Sequence, residues 1–261
     1  MFTYFVSDVH LGLDVADPAG REERFVRFLR EIPVMRTSAV YLLGDIWDFW
    51  YEYRDVVPKG YVEVLSALIG LMKAGVKVYF FQGNHDIWTY KYFEELGMIR
   101  LEQPYEVEID GKRFCLGHGD GLGPGMRGYK FMRKCFHSRF LQALFSSLHP
   151  WFAFRLGNGW SKKSRLGKSI SYEFKGTSEP LYKYCLAYPN PVDYFIFGHY
   201  HCHVDIPVSA TGALATPTTV TTEQTSTEGA PRLLLLRDWI QCSNWIEFDG
   251  TSCHYTEEPS Q

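Results

Sequence analysis

The sequence predicts an α/β fold: a sheet of parallel strands whose carboxyl ends share one polar crevice. Three observations lead there. Short apolar, β-rich runs alternate with stretches of helical periodicity. Five of these runs stop at segments that set Asp, Asn or His beside or near a Gly. One long stretch in the second half carries no acidic residue at all.

The elements are taken in chain order. Thr3–Ser7, Ala39–Leu43 and Val76–Gln82 are short runs rich in aromatic and branched residues, the composition of buried strands. Between them, Glu22–Ile32 places Phe25, Val26, Leu29 and Ile32 on one helical face. Tyr61–Ala74 does the same with Val62, Leu65, Leu68, Ile69 and Met72, and Gly75 stops it. A β-α-β-α-β order calls for parallel strands joined by right-handed crossovers. Asp110-Gly111, between Tyr105–Ile109 and Lys112–Leu116, is a hairpin turn. Tyr194–Phe197 and Leu233–Leu236 are further buried-strand candidates. Thr211–Thr227 holds eight Thr in 17 residues and reads as an exposed loop or edge ribbon. The start, MFTYFVSDVHLG, lacks the basic region of a signal peptide and reads as a first strand.

Composition narrows the function. The 261 residues are 46% hydrophobic and 22% charged, which supplies a sizeable core and excludes a disordered chain. No apolar run approaches the roughly 18 residues of a membrane span. A net charge of -3 provides no global field for nucleic acid. Six irregularly spaced Cys suit reduced thiols in a cytosolic protein better than a disulfide framework.

Charge is unevenly placed. Between Gly121 and Tyr172 there are ten basic residues (Arg127, Lys130, Arg133, Lys134, Arg139, Arg155, Lys162, Lys163, Arg165 and Lys168) and no acid. With a total of -3, the rest of the chain carries -13. The same stretch is aromatic, with Phe131, Phe136, Phe140, Phe145, Trp151, Phe152, Phe154 and Trp160. An amphipathic helical hairpin with a solvated basic face would explain part of this. Total exclusion of acids points further, to a surface for a phosphorylated, lipid-bearing or membrane-associated ligand.

The chemistry lies in the segments just after the strands. Asp8-Val9-His10, Gly44-Asp45-Ile46-Trp47-Asp48, Gly83-Asn84-His85-Asp86, Gly117-His118-Gly119-Asp120 and Gly198-His199-Tyr200-His201 each end an apolar run. Ligands of open α/β sheets gather outside the carboxyl ends of the strands, so all five segments converge on one crevice. Taken alone, each is an ordinary turn or a packed His. Five in a row are not. Asp8, His10, Asp45, Asn84, His118, His199 and His201 form a thiolate-free set suited to Mn, Fe or Zn. Seven groups exceed one tetrahedral site and suffice for two ions, the arrangement of hydrolytic phosphate chemistry. A bridge between two cations must be a carboxylate, and Asp45 is the natural candidate.

In this order the motifs D-x-H, G-D-x-x-D, G-N-H-D, G-H-G-D and G-H-x-H resemble the calcineurin-like metallophosphoesterases, over Asp8 to His201. The resemblance implies an αββα sandwich of two mixed sheets flanked by helices, with a helical insertion capping the active site. It implies one domain over 1–261, with the insertion at 121–175. It implies one divalent ion on Asp8, His10, Asp45 and His201, and another on Asp45, Asn84, His118 and His199, with Mn first and Fe or Zn as alternatives. His85 is then an acid or electrostatic stabiliser beside the phosphate. Asp48 and Asp86 are candidates for orienting His85 or a ligating His from behind.

Within that family the chain is most similar to the UDP-2,3-diacylglucosamine hydrolase branch, which acts in lipid A synthesis. The shared features are F-V-S-D-V-H-L-G, H-G-D-G-L-G-P-G-M-R-G-Y-K, L-H-P-W-F-A-F, W-S-K-K-S-R and the late Asp238-Trp239. Much of the branch carries Arg where this chain has His85, and Met126, Arg237 and the Thr-rich 208–229 stretch also depart from it. The branch implies attack at the uridine-side phosphorus, giving UMP and 2,3-diacylglucosamine 1-phosphate. Substrate contacts would fall to Asn84, His85, Tyr129, Asn158, Lys162, Lys163, Arg165 and Lys168, with acyl chains among the aromatics of the insertion. The expected partners are a lipid-nucleotide substrate and the cytoplasmic face of the inner membrane, with no nucleic acid. Another phosphodiester or phosphomonoester is the alternative substrate.

Overall fold

The computed structural model describes residues 1–166, 172–209 and 229–259, without the side chains of 158 and 160–166. Lys168 and the Thr-rich 211–227 stretch lie outside the described residues.

The first half builds the expected crossover unit. Strand β1 (Phe2–Val6) leads through helix α1 (Pro18–Glu31) to β2 (Thr37–Leu42), then through α2 (Val62–Lys73) to β3 (Lys77–Phe81). These strands pair in parallel, in the order β1-β2-β3. Helix α1 begins a turn before the apolar periodicity does. Asp17 accepts from the Gly20 amide at 3.0 Å and Pro18 sits in the first turn, so the start is set by capping, not by hydrophobic pattern. A short helix α3 (Tyr92–Glu95) leads into β4 (Ile99–Leu101), which extends the sheet in parallel.

The second half builds another sheet. Strands β5 (Tyr105–Ile109) and β6 (Lys112–Leu116) form the hairpin around Asp110-Gly111, both at positive φ as a two-residue turn of this kind requires. Helices α4 (Arg127–Phe136), α5 (Arg139–Ser146) and α6 (Pro150–Leu166) make up the acid-free insertion. Helix α7 (Pro180–Leu186) precedes β7 (Tyr194–Phe197), β8 (Val204–Pro207) and β9 (Arg232–Leu235). Strands β10 (Cys242–Phe248) and β11 (Cys253–Pro259) return to the first sheet.

The result is two mixed sheets. One runs β11-β10-β1-β2-β3-β4, the other β5-β6-β7-β9-β8. Their facing sides bury Phe5, Tyr41, Leu43, Phe81, Phe114, Leu116, Ile196, Leu234, Ile246 and Phe248. Helices α1 and α2 cover the outer face of the first sheet through Phe25, Leu29, Val64, Leu68 and Leu71. Helix α7 covers that of the second through Leu181, Tyr182 and Cys185. The central strands are buried on both faces, and the converging polar side chains of the crevice lie beyond their ends.

Two strand ends stay registered beyond the sheet. The amides of Asp8 and His10 donate to the carbonyls of Gly44 and Asp45, at 3.1 and 3.0 Å. Leu11 N donates to Ile46 O at 2.9 Å, and Asp48 N returns to Leu11 O at 2.9 Å. The loops after β1 and β2 therefore remain zipped, and they carry Asp8, His10, Asp45 and Asp48 as a rigid unit.

The insertion lies on these same loops. Tyr51 donates to Gln142 O at 2.9 Å and its hydroxyl meets that of Ser146. Trp88 Nε1 donates to Phe136 O at 3.0 Å, and its ring stacks on Phe145. Phe49 packs against Gly157 of α6, where a Cβ would come within 2.2 Å of its ring. The insertion thus caps the loops that carry Asp45 and His85.

Candidate metal centre

Two carboxylates form the floor of the crevice. Asp8 is fully buried and Asp45 nearly so. Asp8 Oδ1 lies 3.5 Å from His10 Nε2 and 3.2 Å from His201 Nε2. Asp45 Oδ2 lies 3.9 Å from His10 Nε2 and 3.4 Å from His118 Nε2. Asn84 Oδ1 is 3.2 Å from His118 Nε2. The His199 ring stands 5.1 Å from that of His118, and its amide donates to Asp8 Oδ2 at 2.9 Å. The structure therefore brings all seven sequence-derived ligand residues together. Three of them, Asp8, His10 and His201, have donor atoms mutually within 4.8 Å; so do Asp8, Asp45 and His118, and so do His10, Asp48 and His85.

The imidazoles are aimed from behind. His118 Nδ1 donates to Leu43 O at 2.9 Å and His201 Nδ1 to Asp238 Oδ2 at 2.9 Å, while His10 Nδ1 faces Asp48 Oδ1 at 3.4 Å. With Nδ1 protonated, Nε2 holds the lone pair that points into the crevice, the usual support of a metal-bound His. Asp8 Oδ1 is buried yet accepts no well-aligned hydrogen bond. A buried acceptor oxygen flanked by the Nε2 atoms of two such rings is an arrangement that a cation completes. The donor set is oxygen and imidazole nitrogen only, so it fits borderline or hard divalent ions.

The backbone is strained at these same residues. Among the described residues nine other than Gly have positive φ, and five of them are Asp8, His10, Asp45, His199 and His201, at 51 to 69°. Such conformations cost on the order of 1–3 kcal/mol each and persist where the surroundings enforce them. Two glycines give the room. A Cβ on Gly83 would come within 2.1 Å of Asp45 Oδ1, and one on Gly198 within 2.2 Å of Asp8 Oδ2. At these two motif positions a carboxylate lies where a side chain would begin.

The electrostatics follow from burial. Desolvation pushes the Asp8 carboxyl up, but His201, His10 and His118 together hold it well below the usual range. Asp45 behaves in the same way, with His118 and His85 opposing its burial. Burial lowers His118, yet Asp45 and Asp8 carry it up to about 10. His201 rises to about 9, with Asp8 and Asp238 overcoming burial. His199 is pushed down to about 3 by burial and by His118, so it stays neutral.

The remaining expected residues take different places. Asp48 sits behind two rings, with Oδ1 3.4 Å from His10 Nδ1 and its carbonyl accepting from His85 Nδ1 at 3.0 Å. Asp86 is engaged with the backbone: it accepts from the amides of Gly83, Asp45, Ile46 and Trp47, at 2.7 to 3.4 Å. That ties the Asn84 loop to the Asp45 loop. Burial and the Asp45 charge raise the Asp86 carboxyl to about 7. The Tyr129 hydroxyl, an expected substrate contact, donates to Asp120 Oδ2 at 2.8 Å, and its ring lies 6.1 Å from His199. The side chains of Asn158, Lys162, Lys163 and Arg165 on α6 fall outside the described residues, as does Lys168.

Sequence reasoning gave no role to three supporting residues. Ser7 donates to Asp8 Oδ2 at 2.6 Å. Arg21, fully buried, donates to the carbonyls of His10 at 2.7 Å and Val15 at 2.6 Å. Its signal was present: Arg21 continues the apolar stripe of α1, one turn before Phe25. Asp238 belonged to a visible motif, but only the fold places it against His201.

The chain is similar to known proteins over most of its length. The profile of the calcineurin-like phosphoesterases matches residues 3–203. A UDP-2,3-diacylglucosamine hydrolase of Porphyromonas gingivalis is 34% identical over 268 residues, covering 95% of this chain and 94% of that protein. One from Hamiltonella defensa is 32% identical over 206 residues, covering 77% of each. A dimetal phosphatase from Danio rerio aligns over 100% of this chain and 96% of its own at 12% identity, with a TM-score of 0.45.

Ion binding should release protons. Before an ion binds, His118 and His201 have raised pKa values, so both are protonated at neutral pH and must give up their protons to ligate. Affinity should therefore rise with pH up to about 9–10, where these groups titrate. The same pairing stabilises the ion-free fold below the ordinary His pKa, and that contribution is lost as pH rises through about 9–10. Titration calorimetry with manganese at pH 7.5, in two buffers of different ionisation heat, should report about two protons released per chain. Release of none would contradict the assignment.

Proposed function

The chain belongs to the calcineurin-like phosphoesterase family, and from that premise we propose that it hydrolyses the pyrophosphate bond of UDP-2,3-diacylglucosamine with the help of two divalent ions. The products are UMP and 2,3-diacylglucosamine 1-phosphate. The observation that carries the reading is the juxtaposition of the ion-binding cluster with an acid-free, apolar cap. A generic phosphodiester would need the first and not the second.

Asp8, His10, Asp45 and His201 hold one ion in this reading, and Asp45, Asn84, His118 and His199 the other. Asp45 is the shared ligand, since its Oδ2 lies toward both imidazole groups. When bound, the ions lower the pKa of a water and neutralise charge on the phosphoryl oxygens. Mn is the ion we favour, with Fe or Zn compatible with the same donors. His85 is held by two contacts: its amide donates to Asp45 Oδ1 at 2.8 Å and its Nδ1 to the Asp48 carbonyl at 3.0 Å. That tautomer leaves proton exchange with substrate to Nε2, where His85 stabilises charge on the phosphate or protonates the leaving oxygen.

The cap supplies the lipid side. Phe131, Phe140, Trp151 and Phe152 are 56–77% exposed, on helices with no acidic residue. Exposed apolar side chains on helices that also carry basic charge suit acyl chains and an anionic membrane face. We place the protein peripherally on the cytoplasmic side of the inner membrane; among the described residues no helix is long and apolar enough to cross it. Asn158, Lys162, Lys163, Arg165 and Lys168 would hold the glucosamine phosphate. A net basic excess confined to the cap is poor footing for nucleic acid, which wants a long groove.

Mn-loaded protein should release UMP from the lipid nucleotide far faster than it cleaves a small aryl phosphodiester, as read by chromatography of the products. Neutralising Lys162 and Lys163 together should slow the lipid substrate and spare the small one. Equal rates on the two substrates would return the chain to a broader phosphodiesterase role. His85→Ala should keep both ions and lower kcat by about 10²–10⁴, and an unchanged rate would remove His85 from the chemistry.

A further inference from the structure

We propose that the Asp238–Trp239 turn is a sixth loop of the centre, and that Asp238 is a positioning residue which sets the affinity of one ion of the pair through His201. The inference rests on the two-ion reading above. The turn connects β9 of the second sheet to β10 of the first. It therefore spans the seam that the ion on Asp8 and His201 must also span. Asp8 comes after β1 in the first sheet, and His201 after β7 in the second.

The turn is anchored in the first sheet and reaches a residue on each side of that seam. Asp238 Oδ2 accepts from His201 Nδ1 at 2.9 Å, while Oδ1 accepts from the Ile240 amide at 3.0 Å. The carboxylate is thus clamped before it meets the ring. The Trp239 amide donates to the Asp8 carbonyl at 3.0 Å. The Trp239 carbonyl accepts from Arg24 at 3.1 Å, and the Asp238 carbonyl from Asn244 at 3.0 Å. The Trp239 ring, fully buried, meets Phe25 and Phe28 edge-on. Two consecutive residues therefore hold Asp8 by its backbone and His201 by its ring. On the other side of Asp45, His118 is aimed by the Leu43 carbonyl instead of this turn. Loss of Asp238 should accordingly weaken one ion and leave its neighbour in place.

The test is a manganese titration of ion-free protein, read by calorimetry and by metal analysis after gel filtration. Wild type should bind two ions. In Asp238→Ala one binding step should weaken by about 10–100-fold, the usual effect of removing an outer partner of a ligating His, and the other should stay unchanged. Asp238→Asn, which keeps an acceptor for Nδ1–H but loses the charge, should fall between, and it serves if the Ala variant does not fold. Saturating manganese should restore most of kcat in both. Two wild-type steps in both variants, or equal weakening of both steps, would overturn the positioning role. The readout is ions and not product, so failure of the lipid-nucleotide substrate leaves it standing. A wild-type protein that binds no ion pair would overturn the reading beneath.

Discussion

Two ionised carboxylates buried side by side are the constraint on which this structure is organised. Asp8 and Asp45 are at most 1% exposed, and each faces imidazole nitrogen instead of solvent. Buried charge is tolerated only when it is paired or coordinated. His118 and His201 answer that need with protons before an ion arrives and with lone pairs afterwards. The rest of the fold serves to keep these groups from relaxing apart. The zipped loops after β1 and β2 hold Asp8 and Asp45 in register, Asp86 gathers four amides, and Gly83 and Gly198 let two loops close onto the acids.

The same constraint explains where strain resides. A left-handed Asp or His is unfavourable by itself, and here five such residues cluster in one crevice. Each turns a side chain inward at the point where a strand ends. The sandwich provides the rigidity to enforce this, since its helices and its facing sheets bury both surfaces of each sheet. The site is thus held by the packed sandwich, while the cap of α4, α5 and α6 carries exposed aromatic side chains.

Much of this was legible in the chain. Strands β1, β2, β3, β6 and β7 were visible because an apolar run ends abruptly in polar residues, and the same abrupt ends marked all seven ligand candidates. The hairpin was carried by Asp110-Gly111. Other features were not legible. Strand β10 buries Ser243 and Asn244, so its polar letters hide a buried strand, and β4 has only three residues. Helix α1 starts at its cap, ahead of its periodicity. Asp238 was in plain sight as a motif, but a partner 37 residues away on the loop after β7 is information that only the fold contains. Asp86 reads as a helper of His85 in its motif, whereas its oxygens are taken up by backbone amides.

The most direct test is electron paramagnetic resonance of the protein loaded with manganese. If the Asp45 carboxylate is shared between two ions, it would hold them about 3.5–4 Å apart, close enough for their spins to couple. The account predicts the multiline signal of a coupled pair, lost in Asp45→Ala. The plain six-line spectrum of isolated ions at full loading would contradict it.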